Sequence, residues 1–255
     1  MLKLLSDEKV QDVISFSEKH PLGVHIACKL TAYGTDKDFL LVWYSEDENG
    51  VNAAVLSFFG DIIICADDTA DFEEIGTFIT AYGYKSICGK KEALVKCGFE
   101  VSEEKTMFSY TGKTCEAFAQ VQSGADMKKV YELISLSIPG SFSSKKEAYL
   151  SFLSDFTYRE RRSLARVKAV CENEKVLSCA LTAAESEVSA LISGVASDKN
   201  IRGKGYGKKT VLSLANELSL ENKKVYVIAL NDSAKEFYKK IGFTECMTVG
   251  YTGME

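Results

Sequence analysis

The chain has 255 residues, 46% hydrophobic and 26% charged, with only 2 prolines, which excludes disordered, collagen-like and low-complexity classes. No run reaches the ~18 consecutive apolar residues of a membrane span; the densest, residues 62–66, is bounded by Asp61 and Asp67. The formal charge of −5 hides an asymmetry: residues 1–122 carry 11 Lys and no Arg against 20 Asp and Glu, net −9, whereas residues 123–255 carry 20 basic against 16 acidic groups, net +4. All five arginines, Arg159, Arg161, Arg162, Arg166 and Arg202, lie in that second half, where an anionic ligand is favoured. A pI of about 5.3, without a basic run interleaved with aromatics, argues against nucleic acid.

The first residues turn acidic at Asp7 and Glu8, before an apolar leader core could form, so a cytoplasmic location is expected, with no membrane partner. Eight cysteines fall mostly inside apolar runs with no CxxC, which reads as buried free thiols rather than a disulfide framework. His20 and His25 lack the partners of a zinc set, and no metal is expected.

In chain order, the first half predicts a helix from Ser6 to His20 and a second from His25 to Tyr33. A strand meander follows over 40–44, 51–59 and 62–65, turning at Glu48-Asn49-Gly50, with helices near 71–82 and 91–97. The second half predicts helices over about 126–138 and 145–157, then strands over 167–171, 176–181 and 188–195. Val211, Leu214, Ala215 and Leu218 mark the apolar stripe of a further helix. Residues 224–230 read as a buried strand, followed by a short helix ended by Gly242 and a terminal strand.

The two halves repeat one another. Residues 92–99 align without a gap on residues 236–243, sharing Glu, Lys, Gly and Phe, and each copy reaches Tyr-Thr-Gly, at 110–112 and 251–253. The spacing of Val10, Val13, Ile14 and Ser17 recurs in Val130, Leu133, Ile134 and Ser137. Two related domains, 1–112 and 113–255, are expected.

Between the strand ending at Val195 and the next helix lies Ser197-Asp198-Lys199-Asn200-Ile201-Arg202-Gly203-Lys204-Gly205-Tyr206-Gly207-Lys208. Glycines at a strand-to-helix junction let backbone N–H groups crowd an anion at the positive end of the helix dipole. A Walker loop fails, because Arg202 stands where its first glycine belongs and Lys209 where its hydroxyl belongs. The dinucleotide fingerprint fails in both frames, meeting Lys208 or Thr210 at its last glycine. What remains, Arg-x-x-Gly-x-Gly over 202–207, with the strand before it, resembles the acetyl-CoA motif of the GCN5-related N-acetyltransferase (GNAT) family; Lys199 stands where many members carry proline. Asn231-x-x-Ala234-x-x-x-Tyr238-x-x-x-Gly242-Phe243 matches that family's next motif.

The resemblance covers residues 113–255 and, in the first half, only the scaffold. It implies an α/β (α+β) fold of two GNAT-like domains, each a mixed, mostly antiparallel sheet flanked by helices. It further implies an acetyl-CoA-dependent N-acetyltransferase, acetyl-CoA being the cosubstrate and the acceptor an amine of a small molecule, peptide or protein. The alternative is a non-catalytic CoA-binding regulatory or interaction protein. By the same resemblance, the backbone amides of Arg202, Gly203, Lys204, Gly205, Tyr206, Gly207 and Lys208 would hold the pyrophosphate, with the Arg202 side chain bracing the loop or meeting a phosphate. Val195, Ala196 and Ser197 would pair with pantetheine, the Val195 N–H meeting the thioester oxygen. Tyr238 would protonate the departing thiolate, although it also shares an apolar stripe with Ala234, Phe237 and Ile241. Asn231 would bond the pantetheine arm or begin a helix. Glu185, Glu187, Asp155 and Glu160 are each as well explained as solvated charges as by a general-base role; residues 141–144 and 158–162 are candidate acceptor-lining segments. Oligomeric state, monomer or homodimer, stays open. In the first half the loop position reads Cys65-Ala66-Asp67-Asp68-Thr69-Ala70-Asp71-Phe72-Glu73-Glu74, whose five carboxylates would repel a pyrophosphate, so CoA binding is not expected there. Leu94 occupies the place of Tyr238.

Overall fold

The structure, a computed structural model, describes residues 1–112, 118–138 and 146–253. The first half contains β1 (Lys3–Leu4), α1 (Val10–Ser17), α2 (Val24–Tyr33), β2 (Leu40–Asp47), β3 (Gly50–Phe58), β4 (Asp61–Ala66), α3 (Phe72–Tyr82), β5 (Ser86–Lys90), α4 (Lys91–Lys96) and β6 (Glu103–Tyr110). The second contains β7 (Val121–Ser123), α5 (Met127–Ser137), α6 (Lys146–Glu160), β8 (Val167–Glu172), β9 (Lys175–Glu185), β10 (Ser189–Ser197), α7 (Tyr206–Leu220), β11 (Lys224–Ala229), α8 (Asp232–Lys240) and β12 (Phe243–Thr252).

The expected first helix is shorter than its apolar spacing suggests. A 3-10 turn over Asp7–Lys9 precedes α1, and α1 stops at Ser17 because Pro21 drives His20 into extended backbone, φ −105° and ψ 134°. Gly23 then packs on the end of α1, where a Cβ would lie 1.8 Å from the Ser17 carbonyl oxygen. The sequence reading places no strand at β1, β5, β6 or β7. Two of them, β1 and β7, are too short to show alternation. In β5, Gly89 stands where a side chain would strike Leu94, 2.9 Å from a built Cβ, which erases the apolar signal.

The chain separates into two compact units that interleave in sequence. The first comprises residues 1–108, 228–235 and 245–255; the second comprises 109–227 and 236–244. In the first unit β1, β2, β3 and β4 form an antiparallel meander, β5 lies parallel to β4, and β12 runs antiparallel to β5 from Val249↔Lys90 to Thr252↔Ile87. The β6 strand lies beside β12, where the Ser102 N–H donates to the Tyr251 carbonyl at 2.9 Å. Ile62, Ile64, Ile75, Ile79, Ile87 and Leu94 fill its core.

In the second unit β7, β8, β9 and β10 are antiparallel neighbours and β11 is parallel to β10. Val130, Ile134, Phe156, Val167, Cys179 and Leu181 pack as its core. The helix stripe over 211–218 turns inward as expected, with Val211, Leu214, Ala215 and Leu218 fully buried. In both units the strand pairing is mixed and mostly antiparallel, and the repeat is visible in their parts. Each copy has a parallel strand pair, then a short helix ended by a left-handed glycine, Gly98 at φ +83° and Gly242 at φ +95°.

Candidate functional site

The site is built from the end of β10. Its ladder with β11 runs from Ser189↔Lys224 to Ile192↔Val227 and stops there. On the opposite side the register with β9 shifts between Ser193↔Leu181 and Ala196↔Cys179, so β10 holds one residue more than its partner over this stretch, a β-bulge that redirects the strand. Gly194 makes it possible. Its φ of +54° and the space around it, a built Cβ falling 2.9 Å from Ile134 Cδ1, both disfavour a side chain. Residues 193–197 therefore leave the β11 ladder with backbone groups on that side outside it.

The loop that follows is anchored at its start. The Asp198 carboxylate accepts from the Asn200 N–H at 2.9 Å and pairs with Lys175, and Lys175 holds the Asp198 pKa below the usual carboxylate value. Gly203 and Gly205 have φ of +83° and +81° with no atom within 4 Å of either built Cβ, so open space lies over both. Gly205 is the N-cap of α7 and supplies no side-chain bond; the first N–H of α7 with an intrahelical partner is that of Lys209, bonded to Gly205 O at 3.1 Å. The N–H groups of the first turn are thus unsatisfied by the helix itself. Lys199, Arg202, Lys204 and Lys208 surround them as exposed cations, so N-terminal dipole and side-chain charge add with one sign.

Beneath the loop lies a group of hydroxyls that the sequence reading did not single out. Ser178 Oγ is 2.9 Å from Ser197 Oγ and 3.1 Å from Thr210 Oγ1, and donates to Ala196 O at 3.1 Å. Serines and threonines in strands and helices carry no sequence pattern that marks them as a group; only the packing of α7 on β9 and β10 assembles them.

The α8 helix brings Phe237 to the loop, its ring edge 4.0 Å from a Cβ built on Gly207. Tyr238 is 5% exposed, with its ring against Phe237 at 5.3 Å and Phe243 at 5.6 Å; burial pushes its phenol well above the ordinary tyrosine value. Asn231 is exposed and its Oδ1 accepts from the Ala234 N–H at 2.9 Å, the bond of a helix N-terminus. Of the other acidic candidates, Glu185 is fully buried and ion-paired to Arg166 and Lys223. Asp155 is bonded to Arg159 at 2.7 Å, while Glu160 and Glu187 are exposed. The buried Arg159 also donates to the Leu164 carbonyl at 3.4 Å, and Arg162 lies 3.6 Å over the Tyr158 ring. Arg159 thus serves the α6 end, whereas Arg162 is exposed. Residues 141–144 lie outside the described residues.

The first unit departs from this arrangement twice. Its β4 pairs with β3 without a register shift from Phe58↔Asp61 to Ala53↔Ala66, so no bulge redirects it. Asp71 caps α3, its carboxylate accepting from the Glu74 N–H at 2.9 Å, and thereby fills with a side chain the place that Gly205 leaves open at α7. Among the described residues, no group of three or more His, Cys, Asp or Glu could hold a metal, and no helix is long and apolar enough to cross a membrane.

The model of the FR47-like protein family matches residues 173–251, which include the bulge, the loop and α8. No curated protein matches the chain. Among solved structures, the chain is similar to a tandem GNAT protein from the clavulanic acid biosynthesis pathway, at 12% identity and a TM-score of 0.62 over 98% of this chain and 97% of that one. A Drosophila protein is similar at 11% identity and a TM-score of 0.60 over 100% and 99% of the two chains. A GCN5-related N-acetyltransferase from Sphaerobacter thermophilus is similar at 10% identity and a TM-score of 0.59 over 98% and 94%. An FR47-like segment thus carries the bulged strand and the glycine loop, and the chain shares the fold of these GCN5-related N-acetyltransferase structures.

Proposed function

We propose that the second half of the chain transfers an acetyl group from acetyl-CoA to an amine of a small molecule, peptide or protein, and that the first half binds no CoA. One observation carries this reading: the first turn of α7 is uncapped beneath two left-handed glycines and ringed by cations, whereas the corresponding helix in the first half is closed by Asp71. A diphosphate suits the first and is repelled by the second.

In this reading the N–H groups of Gly203 and of Gly205 to Lys208 hold the diphosphate, the Lys204 N–H being bonded to Ile201 O, with Arg202 reaching a phosphate from the loop surface. The strand edge of Val195, Ala196 and Ser197, outside the β11 ladder, pairs with the pantetheine amides. The Val195 N–H donates to the thioester oxygen as negative charge gathers there. A neutral amine attacks the carbonyl carbon, the carbon–sulfur bond breaks with the bonding pair leaving on sulfur, and the nitrogen's extra proton passes to solvent water, from which the Tyr238 phenolate is reprotonated after the transfer. Tyr238 donates its proton to that sulfur; burial raises the phenol's pKa and so opposes the transfer, which requires the phenol to stand directly against the sulfur as the thiolate forms.

Isothermal titration with acetyl-CoA and a thiol-release assay over a panel of amines test the proposal. Acetyl-CoA binding with amine-dependent thiol release is expected; absence of both heat and thermal stabilisation sinks it. The burial of Tyr238 between Phe237 and Phe243 favours a second reading, a CoA-binding protein without turnover. Tyr238→Phe separates the two: kcat falls about 100-fold with CoA affinity nearly unchanged if the phenol is the acid. An unchanged kcat removes it from the mechanism.

A further inference from the structure

The hydroxyls beneath the loop join two parts of the proposed site that the chain itself connects through residues 198–205. Ser178, on β9, and Thr210, in the second turn of α7, are fully buried. Each hydroxyl has one proton to give. Ser178 Oγ gives its own to the Ala196 carbonyl at 3.1 Å, so at its 2.9 Å contact with Ser197 the proton comes from Ser197. Thr210 Oγ1, 3.1 Å from Ser178, is also within reach of the Tyr206 and Gly207 carbonyls, at 3.1 and 3.0 Å. Ser178 thus grips the last two residues of the bulged strand, and with its own proton spent on Ala196 it accepts from Thr210, which ties that strand end to α7 one residue beyond its first turn. Gly207 completes the fit, for a Cβ there would stand 3.1 Å from Ser197 Oγ.

We infer that Ser178 and Thr210 are positioning residues for acetyl-CoA: their hydroxyls fix the separation between the strand edge at 195–197 and the first turn of α7, so that a single extended thioester can engage both at once. This inference rests on the acetyltransferase reading. Two anchoring sites bind one ligand cooperatively only when their spacing matches it. Loosening the spacing costs chiefly ground-state binding of the cosubstrate.

The test uses the full chain, with Thr210→Val, Thr210→Ser and Ser178→Ala assayed for acetyl-CoA binding by calorimetry, for KM and kcat by thiol release, and for Tm. Thr210→Val and Ser178→Ala are expected to raise the acetyl-CoA KM about tenfold, the scale of one buried hydrogen bond. In both variants the rise in KM is expected to exceed the fall in kcat, because the diphosphate and pantetheine anchors are displaced together. Thr210→Ser, which keeps the hydroxyl, is expected to restore KM. A merely structural role would lower Tm and leave KM at the wild-type value in both variants, which overturns the inference. So does a Thr210→Ser variant as impaired as Thr210→Val. Should Thr210→Val not fold, Ser178→Ala decides alone by its KM. A wild-type chain that gives no heat with acetyl-CoA overturns the acetyltransferase reading and this inference with it, whereas a binding wild type matched by both variants overturns only this one.

Discussion

Gly205 concentrates the demands of the site in one residue. Its φ of +81° costs an ordinary L-residue about 1–2 kcal/mol, and the open space above it is where an anion would lie. Gly205→Val is expected to weaken acetyl-CoA binding at least about tenfold, from strain and bulk together, as read by calorimetry; unaltered affinity would place the diphosphate elsewhere. His20 makes a different prediction. Burial, opposed by the Asp67 carboxylate and aided by Lys19 and Lys90, lowers its pKa from 6.5, and its ring packs on Phe16 at 4.7 Å. A depressed imidazole pKa means that the unfolded chain takes up the proton first, so the stability it contributes is present above pH 6.5 and is lost as the pH falls below that value. Tm is therefore expected to fall between about pH 7 and 5.5, with a shallower fall in His20→Gln; equal slopes would show that other groups govern acid sensitivity.

At the level of the element, two helix N-termini following two parallel-paired strands have opposite fates. The end of α3 is closed by Asp71 with Glu73 and Glu74 in its first turn, a favourable match of carboxylate to dipole. Asp71→Ala is expected to cost about 1 kcal/mol of stability, a Tm loss of about 2–4 °C at this chain length, without creating a second acetyl-CoA site; a titration stoichiometry rising from one to two would contradict that. The end of α7 forgoes such a cap, and its stability comes instead from the buried stripe on β9 and β10. Much of this contrast is legible in the sequence, because carboxylates against glycines at one place in a repeat differ in chemistry whatever the fold. The bulge is not legible: Gly194 in an apolar run looks like any strand glycine, and only the register against β9 gives it meaning.

For the molecule as a whole, the repeat predicts two domains in succession, and the compact units interleave instead. Residues 245–255 belong to the first unit, where β12 supplies the antiparallel neighbour of β5 and Cys246 Sγ donates to the Met107 carbonyl at 3.4 Å. A fragment of residues 1–112 would leave that edge of β5 without its ladder and Val249, fully buried, without its place. The fragment alone is expected to be aggregated or largely unfolded by circular dichroism, and a cooperative melt matching the full chain would refute this. Truncation before residue 245 should destabilise the first unit for the same reason.

The sequence by itself determined the local chemistry: which segments alternate or repeat with helical period, where glycines permit left-handed backbone, and which half bears the cations. These follow from side-chain type and near-neighbour spacing, which a linear chain carries in full. Only the tertiary structure decided that β10 bulges at Gly194, that Ser178, Ser197 and Thr210 meet beneath the loop, that Glu185 is spent on Arg166 and Lys223, and that the closing strand sits against β5. Each depends on residues distant in sequence arriving at one place, and there hydrogen-bond geometry and close packing, rather than local preference, select the partner.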